Sequence, residues 1–259
     1  MTLTIVQMVL GALSGALVGF SLALVGGGGS ILAVPLMVYL VGVRDPHVAI
    51  GTSALAVAVN AGLGLANHAR AGHVRWRCGL VFAAAGIAGA FAGSTLGKAF
   101  DGQRLLFLFA LLMILVGALM LRRRTKAANN EARLDAANAV PLAGSGFVVG
   151  AFSGFFGIGG GFLIVPSLIA AINISMINAV GTSLIGVTAF GLTTAFNYAL
   201  SGLVDWQLAA IFIAGGLAGS MAGTRLAKHL SAKDRLTHVF AALIFAVAAY
   251  MLWRQWSAL

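Results

Sequence analysis

The stretch GGGGSILAVP at Gly26–Pro35 is answered by GIGGGFLIVP at Gly157–Pro166, and this pair decides the fold. Each is a run of glycine followed by an apolar tail that ends in proline. Further along, Gly51-Thr52-Ser53 matches Gly181-Thr182-Ser183, and Asn67 matches Asn197. Gly72-His73-Val74-Arg75-Trp76 matches Gly202-Leu203-Val204-Asp205-Trp206. Gly86, Gly89, Gly93 and Lys98 match Gly216, Gly219, Gly223 and Lys228, and Arg104-Leu105 matches Arg235-Leu236. Every match falls at an offset of 130 or 131 residues, so one unit occurs twice in the chain.

Around these landmarks the sequence is apolar from end to end. Hydrophobic residues make up 60% of the 259 and charged residues only 8%, where a soluble domain carries about 25% charged. Five apolar segments are predicted per unit, at 5–25, 30–43, 47–69, 78–97 and 104–121, then 138–156, 161–172, 177–199, 207–224 and 236–253. The expected fold is therefore all-α and polytopic. Residues 1–121 form the first membrane repeat, 122–137 (RRRTKAANNEARLDAA) a cytoplasmic linker, and 138–259 the second repeat. The N-terminal stretch has no basic flank and recurs in mid-chain, so it reads as a mature helix rather than a signal peptide.

The second segment of each unit is too short to span. About 13 residues at 1.5 Å each reach roughly 20 Å, against a hydrocarbon core of about 30 Å. With a glycine cluster in front, each is expected to be a broken or re-entrant half-helix, its irregular backbone shielded inside the protein.

The net charge of +10 sits between apolar segments rather than in a patch with aromatics, which favours membrane-flanking loops over nucleic acid. Arg70, Arg75 and Arg77 crowd the loop at 70–77, while the matching loop at 200–207 has no basic residue. The loop after the fourth segment reverses this, with Lys98 and Arg104 against Arg225, Lys228, Lys233 and Arg235. A bias that changes loop between units is what inverted repeats under the positive-inside rule require. With the linker in the cytoplasm, twelve of the sixteen Lys/Arg lie inside and both termini lie outside.

The glycine clusters are the first candidates for chemistry. A helix start leaves four N–H groups unpaired and carries partial positive charge, and glycine lets a ligand approach it. Two inverted half-helices would aim two such ends at the midplane, an anion site without a full charge. The candidate substrate-binding set is Gly27, Gly28, Gly29, Ser30, Thr52, Ser53 and Asn67, with Gly159, Gly160, Gly161, Thr182, Ser183 and Asn197. The hydroxyls and amides enter because polar groups within apolar segments face a bundle interior or a cavity. Asn60, His68 and Tyr198 are intramembrane polar residues too, outside that set.

Other chemistries lack their residues. The six acids fall in loops or at segment ends, which argues against a carboxylate-based proton pump or cation exchanger. No zinc helix or Ser/His pair at convincing spacing occurs, Cys78 is the single cysteine, and no metal, cofactor or enzyme activity is expected.

The glycine clusters with Pro35 and Pro166, the following Thr-Ser pairs and the two Gly-x-Val-x-Trp stretches resemble the TauE/SafE family over nearly the whole chain. That resemblance implies a bacterial inner-membrane carrier exporting small sulfur-containing anions, sulfite or organosulfonates, without choosing among them. The family's acidic residue before the first Trp is replaced by Arg75, while Asp205 keeps it in the second unit. A passive anion channel, or a membrane subunit serving a partner enzyme, is the alternative of another class.

Overall fold

The computed structural model describes residues 3–122, 136–229 and 244–254. The described residues are helical with no strand. Helix α1 (Ile5–Val25) runs into a short segment that opens as a 3-10 helix over Gly26–Leu32, makes one α turn at Ala33–Pro35 (α2) and ends as a π-helix at Leu36–Leu40. Then follow α3 (Pro46–Arg70), α4 (Trp76–Ala99) and α5 (Gly102–Arg122). The second unit has α6 (Ala136–Phe156), α7 (Gly161–Ile172), α8 (Met176–Ala199), α9 (Trp206–His229) and a last described helix, α10 (Ile244–Arg254). The apolar periodicity located these to within a few residues, and most of the linker at 122–137 lies outside the described residues.

Six helices, α1, α3, α4, α6, α8 and α9, are long and apolar enough to cross a membrane. Their outward faces are greasy: Val9, Leu13 and Leu17 of α1 are each half exposed, as suits a surface solvated by lipid. Loop acids are spent on helix starts. Asp45 Oδ1 accepts from His47 N at 2.8 Å, Asp101 Oδ1 from Arg104 N at 3.0 Å and Asp205 Oδ1 from Leu208 N at 3.0 Å.

The two units exchange partners. The first helix of each packs on the fourth helix of the other, α1 on α9 and α6 on α4, while α3 crosses α8. Glycines set both interfaces. A methyl at Gly15 would strike Phe212 O, at Gly19 Gly216 O and at Gly219 Ala16 O; on the other side Gly146 meets Phe82 O, Gly150 meets Gly86 O and Gly89 meets Phe147 O. These are the same contacts at the repeat offset. Backbones this close replace the hydrophobic effect, absent between helices in lipid, with dispersion.

The Gly-Thr-Ser and Gly-x-Val-x-Trp motifs turn out to be two halves of one joint. Thr52 Oγ1 on α3 accepts from Asp205 N at 2.9 Å, and Thr182 Oγ1 on α8 accepts from Arg75 N at 3.0 Å. Beside each, a glycine makes room for the loop: Gly181 lies against His73 O, where a methyl would sit at 2.5 Å, and Gly51 lies against Leu203 O. Each unit thus clasps the loop before the other unit's fourth helix.

Candidate functional site

The second glycine cluster breaks the chain between α6 and α7. Gly157, Gly159 and Gly160 have φ of 67°, 68° and 67°, a left-handed conformation that disfavours any side chain. The chain folds back there: a methyl at Gly160 would lie 2.7 Å from Ser153 Cβ, although seven helical residues would separate them by about 10 Å. Gly159 reaches the middle of the bundle, where its methyl would touch Val187 Cγ1 at 3.1 Å and Val57 Cγ1 at 3.2 Å. Val57 and Val187 are equivalent residues of α3 and α8, both fully buried.

The first cluster also folds back, as a methyl at Gly29 would lie 2.7 Å from Ser21 Cβ. Its backbone differs from the expected break, because Gly26–Leu32 stays right-handed and 3-10 helical. The reason lies in one residue. The second cluster contains Ile158, which is fully buried and anchors the turn, whereas the run Gly26–Gly29 has no side chain to anchor. Both short segments pack on each other and on α8.

The start of α7 is rich in unused donors. The N–H groups of Leu163 and Ile164 both donate to Gly160 O, at 2.9 and 3.0 Å, and Ile158 N donates to Ser153 O at 3.2 Å. Gly159, Gly160, Gly161 and Phe162, all buried, donate to no backbone carbonyl among the described residues. Beside them, Ser153 Oγ is fully buried, has no partner and would lie 2.9 Å from a methyl at Gly160. A buried polar group without a partner costs about 1–3 kcal/mol. The positive end of α7 and the unpartnered Ser153 hydroxyl beside Gly160 make this a place where a negative charge would be favoured.

The remaining sequence-chosen residues divide by partner. Gly27 and Gly28 belong to the 3-10 segment, and Ser30 beside them is fully buried. Besides the Thr52 and Thr182 joints, Ser53 Oγ donates to Ile50 O at 3.1 Å and Ser183 Oγ to Val180 O at 2.7 Å, each within its own helix. Asn197 is buried and staples α8 to α4: its Nδ2 donates to Ser94 Oγ at 2.6 Å and Thr95 Oγ1 at 2.9 Å. Its Oδ1 accepts from Lys98 Nζ at 2.8 Å, which also reaches Ser201 Oγ at 2.9 Å. Asn67 is exposed near the end of α3. Of the candidate set, then, Gly159, Gly160 and Gly161 lie together at the α7 start, while Thr52, Thr182 and Asn197 have protein partners.

Ser153 escaped the reading from sequence because the repeat was the guide: at the repeat offset it faces Leu22, while Ser21, one residue out of step, stands at the first fold-back. A polar residue on the helix that precedes a glycine cluster, at the spacing of the fold-back, was the signal available.

A helical bundle with six potential spans among the described residues is the architecture of a multi-pass membrane protein. The chain belongs to the sulfite exporter TauE/SafE family, whose model matches residues 11–251. It is 52% identical over 259 residues to a "Probable membrane transporter protein" of Xylella fastidiosa strain Temecula1, covering 99% of each chain. It is 28% identical over 214 residues to "Probable membrane transporter protein YdhB" of Bacillus subtilis, covering 81% of this chain and 86% of the relative. A "Probable membrane transporter protein" of Haemophilus influenzae is 31% identical over 198 residues, 73% of each chain. No solved structure matches it significantly.

Proposed function

We propose that the protein is a secondary transporter that exports a small sulfur-containing anion, sulfite or an organosulfonate, across the bacterial inner membrane. The observation that carries this reading is the buried start of α7, where Ser153 Oγ lies beside Gly160 without a partner among the described residues. The anion is held by Gly159, Gly160, Gly161 and Ser153 from one side, and by Gly27, Gly28, Gly29 and Ser30 of the converging first segment from the other. Thr52, Ser53, Thr182, Ser183, Asn67 and Asn197 complete the candidate set. Thr52 and Thr182 clasp the loops before α9 and α4, and a hydroxyl that donates to its own helix, as in Ser53 and Ser183, keeps a lone pair free.

A site of dipoles suits a carrier. A helix end supplies about 0.3–1 kcal/mol when exposed and up to about 2 when partly buried, and each neutral hydrogen bond adds about 0.5–1.5. The sum is binding on the order of micromolar to millimolar, weak enough to release the load. The two membrane repeats, 1–121 and 138–259, have inverted topology, both termini face the periplasm and the linker the cytoplasm. The exchange of partners between units supports this arrangement, because each interface recurs at the repeat offset.

The test is counterflow in proteoliposomes with sulfite, sulfoacetate and taurine. Saturable, exchange-stimulated flux is expected, and it disappears in Gly160→Leu, which still inserts. Unsaturable unitary currents would make the protein a channel instead. Full flux in Gly160→Leu would remove the α7 start as the site, and inactivity without a partner protein would make the protein a membrane subunit serving an enzyme.

A further inference from the structure

The second buried polar feature is an amide. Asn60 lies near the middle of α3, is 6% exposed, and has no partner for either Oδ1 or Nδ2 among the described residues. It fills the space left by Gly216 of α9, where a methyl would collide with the amide. The equivalent space, at Gly86 of α4, is filled by the ring of Phe190, the residue that matches Asn60 in the repeat. Phe190 stacks at 5.9 Å on Phe82 and has every contact a phenyl needs. The same hole therefore takes an apolar ring in one unit and an unsatisfied amide in the other. Packing does not ask for the amide, because its equivalent site is filled by hydrocarbon.

On α3, Asn60 is one helical turn from Val57, which Gly159 touches. Its place on α3 is thus within one turn of the second glycine cluster.

We infer that Asn60 contacts the transported solute, and that this solute carries a hydrogen-bond donor in addition to its anionic head. The inference rests on the anion-transport reading above. An amide offers one acceptor and two donor hydrogens. With both ends unpaired, it is satisfied by a ligand that both accepts and donates. A fully deprotonated oxyanion only accepts: it answers Nδ2 and sets a lone pair against Oδ1. A hydroxy- or amino-substituted sulfonate, or a protonated oxyanion, answers both. A site built to bond a hydroxyl rejects the analogue that lacks it, because its own polar group is then left unpaired.

The experiment compares isethionate with ethanesulfonate, two monoanions that differ by one hydroxyl, in counterflow by the full-length protein reconstituted in liposomes. The wild type is expected to show a KM for isethionate about tenfold lower than for ethanesulfonate, equivalent to about 1.4 kcal/mol. In Asn60→Leu that preference disappears, chiefly through a higher KM for isethionate. Should the leucine variant not fold, Asn60→Ala, which only removes atoms, gives the same comparison. Flux of both sulfonates with equal KM in the wild type overturns the inference and leaves anion transport standing. So does a preference that survives in the Asn60 variants, which would leave the amide to buried water. No flux of either sulfonate or of sulfite overturns the anion reading itself, and this inference with it.

Discussion

The two glycine segments do the same job with different chemistry. The second has Ile158 buried in the core, three left-handed glycines, a clean break before α7 and a serine at the fold-back. The first has four consecutive glycines, a 3-10 helix and, at its own fold-back, Ser21, one residue out of step with Ser153. Around them the scaffold is the reverse, repeating contact for contact: Gly19 on Gly216 as Gly150 on Gly86, Thr52 on Asp205 N as Thr182 on Arg75 N. The difference teaches where each kind of constraint acts. Interfaces between backbones leave no latitude, so both units keep the same small residues there. The central residues are free to diverge, and Asn60 against Phe190 shows that they have. A transporter has two faces to serve, and a symmetric frame with an asymmetric centre lets one solute meet different groups from each side.

The largest effect expected tests the equivalence of the frame. Gly19→Leu and Gly150→Leu each drive a side chain into a facing helix backbone, and neither carbonyl has room to retreat. Both are expected to abolish the folded protein, seen as loss of the monodisperse peak of a fluorescent fusion in detergent gel filtration. A variant of either that keeps its peak would break the equivalence of the α1–α9 and α6–α4 interfaces.

Next comes the anchor that separates the two segments. Ile158→Ala empties a fully buried site and is expected to destabilise by about 2–5 kcal/mol, read as a lowered unfolding temperature. If Ile158 holds the second break in shape, transport also falls in whatever fraction stays folded. Unchanged stability would mean that the left-handed glycines hold the turn without it.

Much of this frame was legible in the sequence. The repeat with its short second segments announced the fold-backs, because it is a local pattern. What the motifs bind was not legible. Thr52 and Thr182 looked like solute ligands because an intramembrane hydroxyl demands a partner; that partner is a backbone N–H more than a hundred residues away. Asn197 reads likewise, since only the packed bundle brings Ser94, Thr95 and Lys98 around it. Ser153 was hidden by reliance on a fixed offset, because the serine at the first fold-back, Ser21, is one residue out of step with it. Asn60 stood in view as one intramembrane amide among several, and nothing in sequence says which amides go unpaired.

A smaller effect sharpens the symmetry of the clasp. Thr52→Val and Thr182→Val each keep the shape and remove the acceptor from the loop N–H. Each is expected to destabilise by about 1–3 kcal/mol, the cost of leaving a buried donor unpaired. The two unfolding temperatures in detergent should fall by similar amounts while the KM for the anion holds. A raised KM with unchanged stability would instead make these hydroxyls ligands of the solute.

The smallest effect concerns the one motif position where the units differ in charge. Asp205 caps α9 through its bond to Leu208 N at 3.0 Å, while Arg75, at the matching position before α4, caps nothing with its side chain. A cap lost to alanine costs about 0.5–2 kcal/mol, and an acidic group near a helix start gains from the helix dipole, where a basic one does not. Asp205→Ala should therefore lower the unfolding temperature, and Arg75→Asp should raise it by a similar or smaller amount. The arginine is then retained for a reason other than stability. The positive-inside rule supplies one, because Arg70, Arg75 and Arg77 share a loop whose counterpart has no cation. The sharper half of the test is thus topological. In Arg75→Asp, an alkaline phosphatase fusion placed in the 70–77 loop should gain activity relative to the parent, as part of the population loses its bias toward the cytoplasm. A stabilised variant with a silent fusion would leave the arginine without a topological role, and a destabilised one would show that α4 is capped by other means.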